Sequence, residues 1–200
     1  GVPAVAAAGQ GGLLDLVLDS DFAHNRRLYF CFSEPGQGQE RGRNSTALAS
    51  ARLPADAARL EDVHVIFSQR PKIDSALHFG CRIAERGDGT LFLTLGERFK
   101  FKEEAQNLGS HLGKVVRVAK DGGVPRDNPF ASNASALPEI WSLGHRNAQG
   151  AAIAPDGSLW ISEHGPQGGD EINRPEPGRN YGWPVVTYGE NYGGGKIGEG

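Results

Sequence analysis

Short apolar runs separated by polar turns make up most of this chain, and the turns are rich in glycine, proline, aspartate and asparagine. Amphipathic patterns long enough for helices are hard to find, whereas runs of this length between turn residues are typical of strands. The pattern predicts an all-β chain. Its strands are expected near residues 13–18, 27–33, 46–52, 63–69, 80–85, 91–95, 114–118, 139–143, 151–154 and 158–162.

A polar turn that leads into an aromatic-bearing strand occurs three times, in AHNRRLYF, GDGTLFLTLG and PDGSLWISE. If Leu28, Leu91 and Leu159 are equivalent, the spacings are 63 and 68 residues. A period of this size with four short strands in each repeat predicts a β-propeller with long loops. An antiparallel sandwich is the alternative, because similar strands recur there too.

The repeat predicts one partial propeller domain over residues 1–200, with two full blades and part of a third. The blade-like repeats are expected at about 10–72, 75–146 and 147–200. The segment 98–112 is expected to be a loop above its blade, with a helical turn and solvent-facing charges. The chain begins at Gly1 and ends in GGGKIGEG, which favours an internal fragment of a longer protein.

Composition narrows the choice of partners. The formal net charge is −3 and no basic stripe is present, which argues against nucleic acid and anionic membranes as partners. No apolar run approaches the length of a membrane span, and the N-terminal segment lacks the basic flank of a signal peptide.

Cys31 and Cys81 lie in apolar strand-like runs, so we expect both to be reduced core residues.

The densest polar chemistry lies in WSLGHRNAQGAAIAPDGSLWISEHGPQGGDEIN, residues 141–173. A first loop, residues 144–150, places Arg146, Asn147 and Gln149 between two apolar runs, where such groups often face a cleft. A second loop, residues 163–171, is rich in residues that can turn carbonyl groups inward, and carbonyl and carboxylate oxygens are the ligands that calcium prefers. The alternative is that these are turn residues bonded to the local backbone.

The ordered motifs GHRN-x-QG, PDG-x-L, EHGP and DEIN resemble those of the soluble quinoprotein glucose and aldose sugar dehydrogenases. These are six-bladed β-propellers that use pyrroloquinoline quinone and calcium. The resemblance extends over GQGGLL, HFGCRI, QNLGSHLGKVVRV and RNYGWP, and the first and final blades are absent. The later blades supply further basic residues for the cofactor's carboxylates, so we expect this chain alone to bind the cofactor poorly or not at all.

The resemblance implies roles for particular residues. His78, in an H-x-G-x-R motif, corresponds to the base that takes the proton of the sugar's anomeric hydroxyl. Leu77 stands where glucose-oxidising members can carry an acidic residue, so the group that orients His78 must come from elsewhere. Arg146 corresponds to the arginine over the quinone's reactive carbonyls, and Asn147 and Gln149 to its neighbours on the cofactor.

Other correspondences concern substrate and metal. Gln10 matches a glutamine that lines the substrate pocket, although a polar residue in a glycine turn is nearly as good an explanation. Gly165 and Pro166 match the pair whose backbone carbonyls bind the calcium that holds the quinone. Glu171 and Tyr181 match a second, structural calcium region; the alternatives are a residue that caps a strand turn and a packing aromatic.

The implied reaction is oxidation of an aldose sugar at its anomeric carbon to the lactone, with electrons passed to an external acceptor. Hydride transfer needs an organic acceptor, and no G-x-G-x-x-G opens a helix to bind a nicotinamide. The family resemblance implies a periplasmic or secreted location. The alternatives are a calcium-dependent propeller lactonase and a non-catalytic propeller that binds a protein or a glycan.

Overall fold

The computed structural model describes residues 1–56 and 58–199, and strands dominate them. The strands are β1 (Leu13–Leu18), β2 (Arg27–Pro35), β3 (Asn44–Arg52), β4 (Glu61–Ser68), β5 (Gly80–Arg86), β6 (Thr90–Leu95), β7 (Lys114–Ala119), β8 (Ile140–Leu143), β9 (Ala148–Ile153), β10 (Leu159–Glu163) and β11 (Glu171–Asn173). In the described part of the chain, helices are limited to α1 (Phe22–Asn25) and the 3₁₀ turns Gly38–Glu40 and Lys102–Gln106. None of the helices in these residues is long and apolar enough to cross a membrane.

The strands form three separate sheets with the orders β1-β2-β3-β4, β5-β6-β7-β8 and β11-β10-β9. All neighbouring strands are antiparallel. The predicted fold class is therefore confirmed: the chain is all-β, and its two four-stranded antiparallel sheets and one three-stranded sheet are of the kind that form propeller blades. Leu28, Leu91 and Leu159 each lie in the second strand of their sheet, and each is buried.

The sheets pack face to face because side chains alternate across each strand. In β2, Leu28, Phe30 and Phe32 belong to an apolar cluster on one face of the first sheet. Tyr29 and Cys31 point the other way, into a cluster shared with the second sheet. Each fully buried apolar side chain contributes roughly 1.5–3 kcal/mol to folding, so this alternation holds the two sheets together.

The second sheet uses its other face to pack on the third. On this face of the second sheet, Phe92 of β6 and Trp141 of β8 meet edge to face, with the ring centroids 5.2 Å apart. Leu159 and Ile161 of β10 complete the same cluster. The second sheet is thus buried on both faces, as a blade between two neighbours must be.

The expectation for the cysteines is half wrong. Cys31 and Cys81 are fully buried, as expected, but they form a disulfide with their Cα atoms 5.9 Å apart. The bond joins β2 of the first sheet to β5 of the second. The pairing depends on how the two sheets face each other, which the sequence between two cysteines 50 positions apart does not reveal.

The segment 98–112 contains the expected helical turn, at Lys102–Gln106. The expectation that its charges face solvent is wrong for Arg98, which is fully buried with its guanidinium 3.8 Å from the Phe79 ring centroid. Burial lowers the pKa of Arg98 to about 10, and the neighbouring Glu97 carboxylate opposes that shift. This charge therefore belongs to the interior near the site.

Candidate functional site

His78 lies just before β5 and has a positive φ of 48°. Its backbone N–H donates to Gln10 Oε1 at 2.8 Å. The backbone N–H of Gln10 in turn donates to the Ala76 carbonyl at 2.8 Å. Gln10, which comes from the stretch before β1, is thus beside His78 and connects the first sheet to the segment that carries the imidazole.

The imidazole of His78 is oriented by Glu97, a residue that sequence reasoning did not select. His78 Nδ1 and Glu97 Oε1 are 2.7 Å apart, and both side chains are buried. Because a carboxylate only accepts hydrogen bonds, Nδ1 carries the proton and the Nε2 lone pair is left as an acceptor. Glu97 lies two residues after the end of β6, and the Gly80↔Leu95 register places that strand end beside the start of β5. An acidic residue separated from a buried strand by one glycine, in GERF, was the available signal.

Gly96 allows these two segments to approach closely. A Cβ at this position would lie 2.0 Å from the His78 carbonyl oxygen and 3.1 Å from Asn147 Oδ1, so only glycine fits. Asn147 Oδ1 accepts the Gly80 backbone N–H at 3.1 Å. The buried Asn147 side chain therefore ties the GHRN loop to the start of β5.

Glu97 connects Arg146 to His78 by one hydrogen bond to each residue. The Glu97 backbone N–H donates to the Arg146 carbonyl at 2.9 Å, and the Glu97 side chain bonds His78. On its other side, the Arg146 backbone N–H donates to Glu163 Oε1 at 2.9 Å. Glu163 Oε2 also lies 3.0 Å from His145 Nδ1. The buried Glu163 carboxylate thus holds the Arg146 backbone N–H and the His145 ring, while the Glu97 backbone N–H holds the Arg146 carbonyl.

The Arg146 guanidinium points toward the second predicted loop. Nη1 donates to the carbonyls of His164 and Gly165 at 3.1 and 2.6 Å. The first loop is shorter than expected, because β9 begins at Ala148 and Gln149 is a strand residue. Gln149 Oε1 lies 3.0 Å from His164 Nε2, so His164 connects Gln149 to the Arg146 region.

The four predicted metal ligands occupy two different places. Gly165 and Pro166 are beside Arg146, and the Gly165 backbone N–H donates to Asp170 Oδ1 at 2.8 Å. A Cβ at Gly165 would come within 2.2 Å of the Gly168 carbonyl oxygen, so glycine is needed for this turn.

Glu171 and Tyr181 lie instead around His145. The Tyr181 ring stacks on the His145 ring at 4.9 Å, and its hydroxyl donates to the Arg174 carbonyl. Glu171 is opposite Glu163 in the β10–β11 pair; burial raises the Glu171 pKa, and the Glu163 charge raises it further. Within residues 1–56 and 58–199, no three His, Cys, Asp or Glu side chains are grouped to hold a metal ion.

A cavity of about 130 Å³ opens between these elements. Its lining includes Glu97, Phe99, Lys102, Arg146, Pro166 and Trp183. Three buried atoms of these residues, Glu97 Oε2, Arg146 Nε and Trp183 Nε1, make no hydrogen bond with the described part of the chain. Four larger depressions lie elsewhere on the described residues. The two of about 510 Å³ are lined by none of the predicted site residues, whereas one of about 380 Å³ is lined by Glu171 together with Glu163 and Asp170.

Comparison with known proteins gives a consistent result. The family model described as Glucose / Sorbosone dehydrogenase matches residues 1–200. The aldose sugar dehydrogenase YliI of Escherichia coli (strain K12) is 48% identical over 200 residues, which are 100% of this chain and 53% of that protein. The chain spans about half the length of the curated relatives it matches.

Solved structures agree with the sequence matches. A crystal structure of glucose dehydrogenase aligns with a TM-score of 0.93 at 50% identity, covering 98% of this chain and 56% of that one. The PQQ-bound form of an aldose sugar dehydrogenase from Streptomyces coelicolor aligns with a TM-score of 0.80 at 30% identity, covering 99% and 55%.

Proposed function

The chain belongs to the Glucose / Sorbosone dehydrogenase family, and from that premise we propose that the protein oxidises an aldose sugar at its anomeric carbon to the lactone. In this proposal pyrroloquinoline quinone and calcium are the cofactors, and the electrons pass on to an external acceptor. The observation that carries the proposal is the buried His78–Glu97 pair: Glu97 is hydrogen-bonded through its backbone to Arg146, and Glu97 and Arg146 line one cavity.

The cavity has polar groups that suit a quinone with carbonyl and carboxylate oxygens. Arg146 Nε and Trp183 Nε1 are buried donors without a partner in the described residues. Buried polar groups in folded proteins nearly always have a hydrogen-bond partner, so such atoms at a cavity favour a polar ligand there. Arg146 would hold the cofactor, together with Asn147 and Gln149 as its predicted neighbours.

Calcium would be held by the backbone carbonyls of Gly165 and Pro166. Carbonyl oxygens are hard ligands of the kind calcium prefers, and the Gly165 carbonyl has a second lone pair beyond the one that Arg146 uses. Glu171 and Tyr181, the predicted second calcium region, would form a separate structural site around His145.

The quinone, when bound, supplies the two-electron acceptor that no protein side chain provides. His78 Nε2 takes the proton of the anomeric hydroxyl, while the hydrogen on the anomeric carbon leaves with its electron pair as a hydride. Glu97 keeps the proton on Nδ1 and stabilises the imidazolium that forms. Arg146 supplies a fixed positive charge where negative charge develops, and Gln10 holds the His78 segment at the substrate side.

The disulfide supports a periplasmic or secreted location. Stable disulfides are rare in reducing cytosol and common in oxidising compartments. A buried Cys31–Cys81 bond between two blades is therefore what we expect of a protein that matures outside the cytosol.

Single-turnover reduction of quinone in the full-length, quinone- and calcium-loaded protein tests the mechanism. His78→Ala should leave quinone retention intact and slow reduction by about 10²- to 10⁴-fold. Glu97→Gln should slow it by about 10- to 100-fold, because a charge-assisted hydrogen bond contributes about 1.5–3 kcal/mol. Asp156→Asn, a substitution in an exposed turn, is the control.

An aldose deuterated at C1 should slow the parent's reduction step. A parent that hydrolyses lactones without quinone would favour the lactonase alternative, and a His78→Ala variant that reduces quinone at the parental rate would overturn the assignment of the base.

A further inference from the structure

Two consecutive residues beside the candidate site have left-handed backbone conformations. Arg98 has a φ of 68° and Phe99 a φ of 71°. Such angles are unfavourable for residues with a Cβ, and they are rarest for bulky side chains. Backbone conformations of this kind persist only where surrounding contacts impose them, and they cluster at functional sites.

The surrounding contacts come from the segment that carries His78. Arg98 Nε donates to the Leu77 carbonyl at 2.9 Å, and Arg98 Nη2 donates to the Ser75 carbonyl. In return, Ser75 Oγ donates to the Arg98 carbonyl at 2.8 Å. The buried guanidinium also lies over the Phe79 ring. The turn is therefore locked to the residues on both sides of His78.

The consequence of this turn is the position of the Phe99 ring. The ring meets the His78 imidazole edge to face, with centroids 5.2 Å apart and planes at 89°. It lines the same cavity as Glu97 and Arg146, yet 42% of its surface is exposed. An apolar ring that stays this exposed gains little from burial in this chain, so core packing does not explain why the backbone is held in this conformation.

We propose that Phe99 contacts the substrate, with its ring packed against the C–H face of the aldose beside His78. A sugar ring presents hydroxyl groups at its edge and C–H groups on its faces, and an aromatic ring offers a matching apolar surface. The contact would hold the anomeric hydroxyl within reach of His78 Nε2. This inference rests on the proposed function and adds a residue that determines substrate affinity.

The ring would contact the sugar equally in the ground state and in the transition state. Its loss is therefore expected to raise KM and to leave kcat nearly unchanged. In the full-length, quinone- and calcium-loaded protein, Phe99→Ala should raise KM for the aldose by about 3- to 10-fold with kcat changed less than about twofold. Phe99→Tyr, which keeps the ring, should restore the parental KM. Phe101→Ala, in the same segment but outside the cavity lining, is the matched control.

A second measurement does not depend on turnover. A 1,5-anhydro sugar lacks the anomeric hydroxyl and cannot react, and its dissociation constant can be measured by calorimetry. Phe99→Ala should weaken its binding by the same factor as it raises KM. Should Phe99→Ala fail to fold, Phe99→Leu keeps the apolar volume, removes the aromatic face and should show the same change.

The outcomes separate the two proposals. Unchanged KM and unchanged analogue binding in Phe99→Ala and Phe99→Leu would overturn the contact, even if the parent oxidises aldoses. A fall in kcat alone would also overturn it, because it would mean that Phe99 only positions His78. A parent without quinone-dependent oxidation, but with analogue binding that depends on Phe99, would overturn the proposed function and leave the contact.

Discussion

Removing the Cys31–Cys81 disulfide should destabilise the protein by an amount that can be worked out from the chain. The bond closes a loop with a sequence separation of 50 residues. In the chain-entropy model, a crosslink over a loop of this length removes enough freedom from the unfolded state to stabilise the fold by about 4 kcal/mol at 25 °C. A change of that size is a large fraction of the free energy of unfolding of typical domains, which is about 5–15 kcal/mol.

The assay is urea unfolding of the full-length protein without reductant, compared for the parent and the Cys31→Ala/Cys81→Ala double variant. The free energy of unfolding should fall by about 4 kcal/mol. The free energy of unfolding should also fall more steeply with urea concentration, because an unfolded chain without the crosslink exposes more surface. Reduced parent protein is the control, since it lacks the crosslink but keeps both sulfur atoms in the core.

The reduced parent should lose most of the same stability. Oxidised parent and double variant with equal midpoints and slopes would refute the reasoning, because they would mean that the crosslink does not constrain the unfolded state. A loss in the double variant but none in the reduced parent would assign the effect to the two small cavities left in the core.

Three further predictions concern other parts of the molecule. Lys114 is fully buried, and burial lowers its pKa to about 7, whereas its pKa in the unfolded chain is near 10.5. Between these two pH values the unfolded state holds a proton that the folded state lacks, so the free energy of unfolding should rise with pH by up to about 1.4 kcal/mol per pH unit. Unfolding measured from pH 7 to 10 should show this rise in the parent; an identical rise in Lys114→Met would assign it to other groups. Gly96→Ala should lower the free energy of unfolding by roughly 2–4 kcal/mol and slow quinone reduction, because the new Cβ would collide with the His78 carbonyl. Gly87→Ala, where the Cβ would meet open space, is the control and should change neither quantity. Equal behaviour of the two variants would contradict the clash. Calcium should raise the melting temperature of the full-length protein and a chelator should reverse the rise; an unchanged midpoint at millimolar calcium would argue against the carbonyl site at Gly165 and Pro166.

The strands and their grouping could be predicted because the information is local. Alternation of side chains, short apolar runs and turn residues all act within a few positions, and the repeat of a turn with an aromatic strand identified equivalent strands. Arg146 and Asn147 could be selected as candidates in the same way, since they lie within one ordered series of motifs.

The contacts between segments were decided by the tertiary structure. Whether two buried cysteines form a disulfide depends on which faces of two blades meet, and that arrangement is set by packing across 50 residues. The orientation of His78 by Glu97 depends on the register of β5 with β6, and the burial of Arg98 depends on a turn folded against Phe79. A periodic pattern specifies which side of a strand is apolar, but it does not specify which side chain from another strand will be opposite. Only the packed sheets determine those partners, because pairing is a property of the two surfaces together.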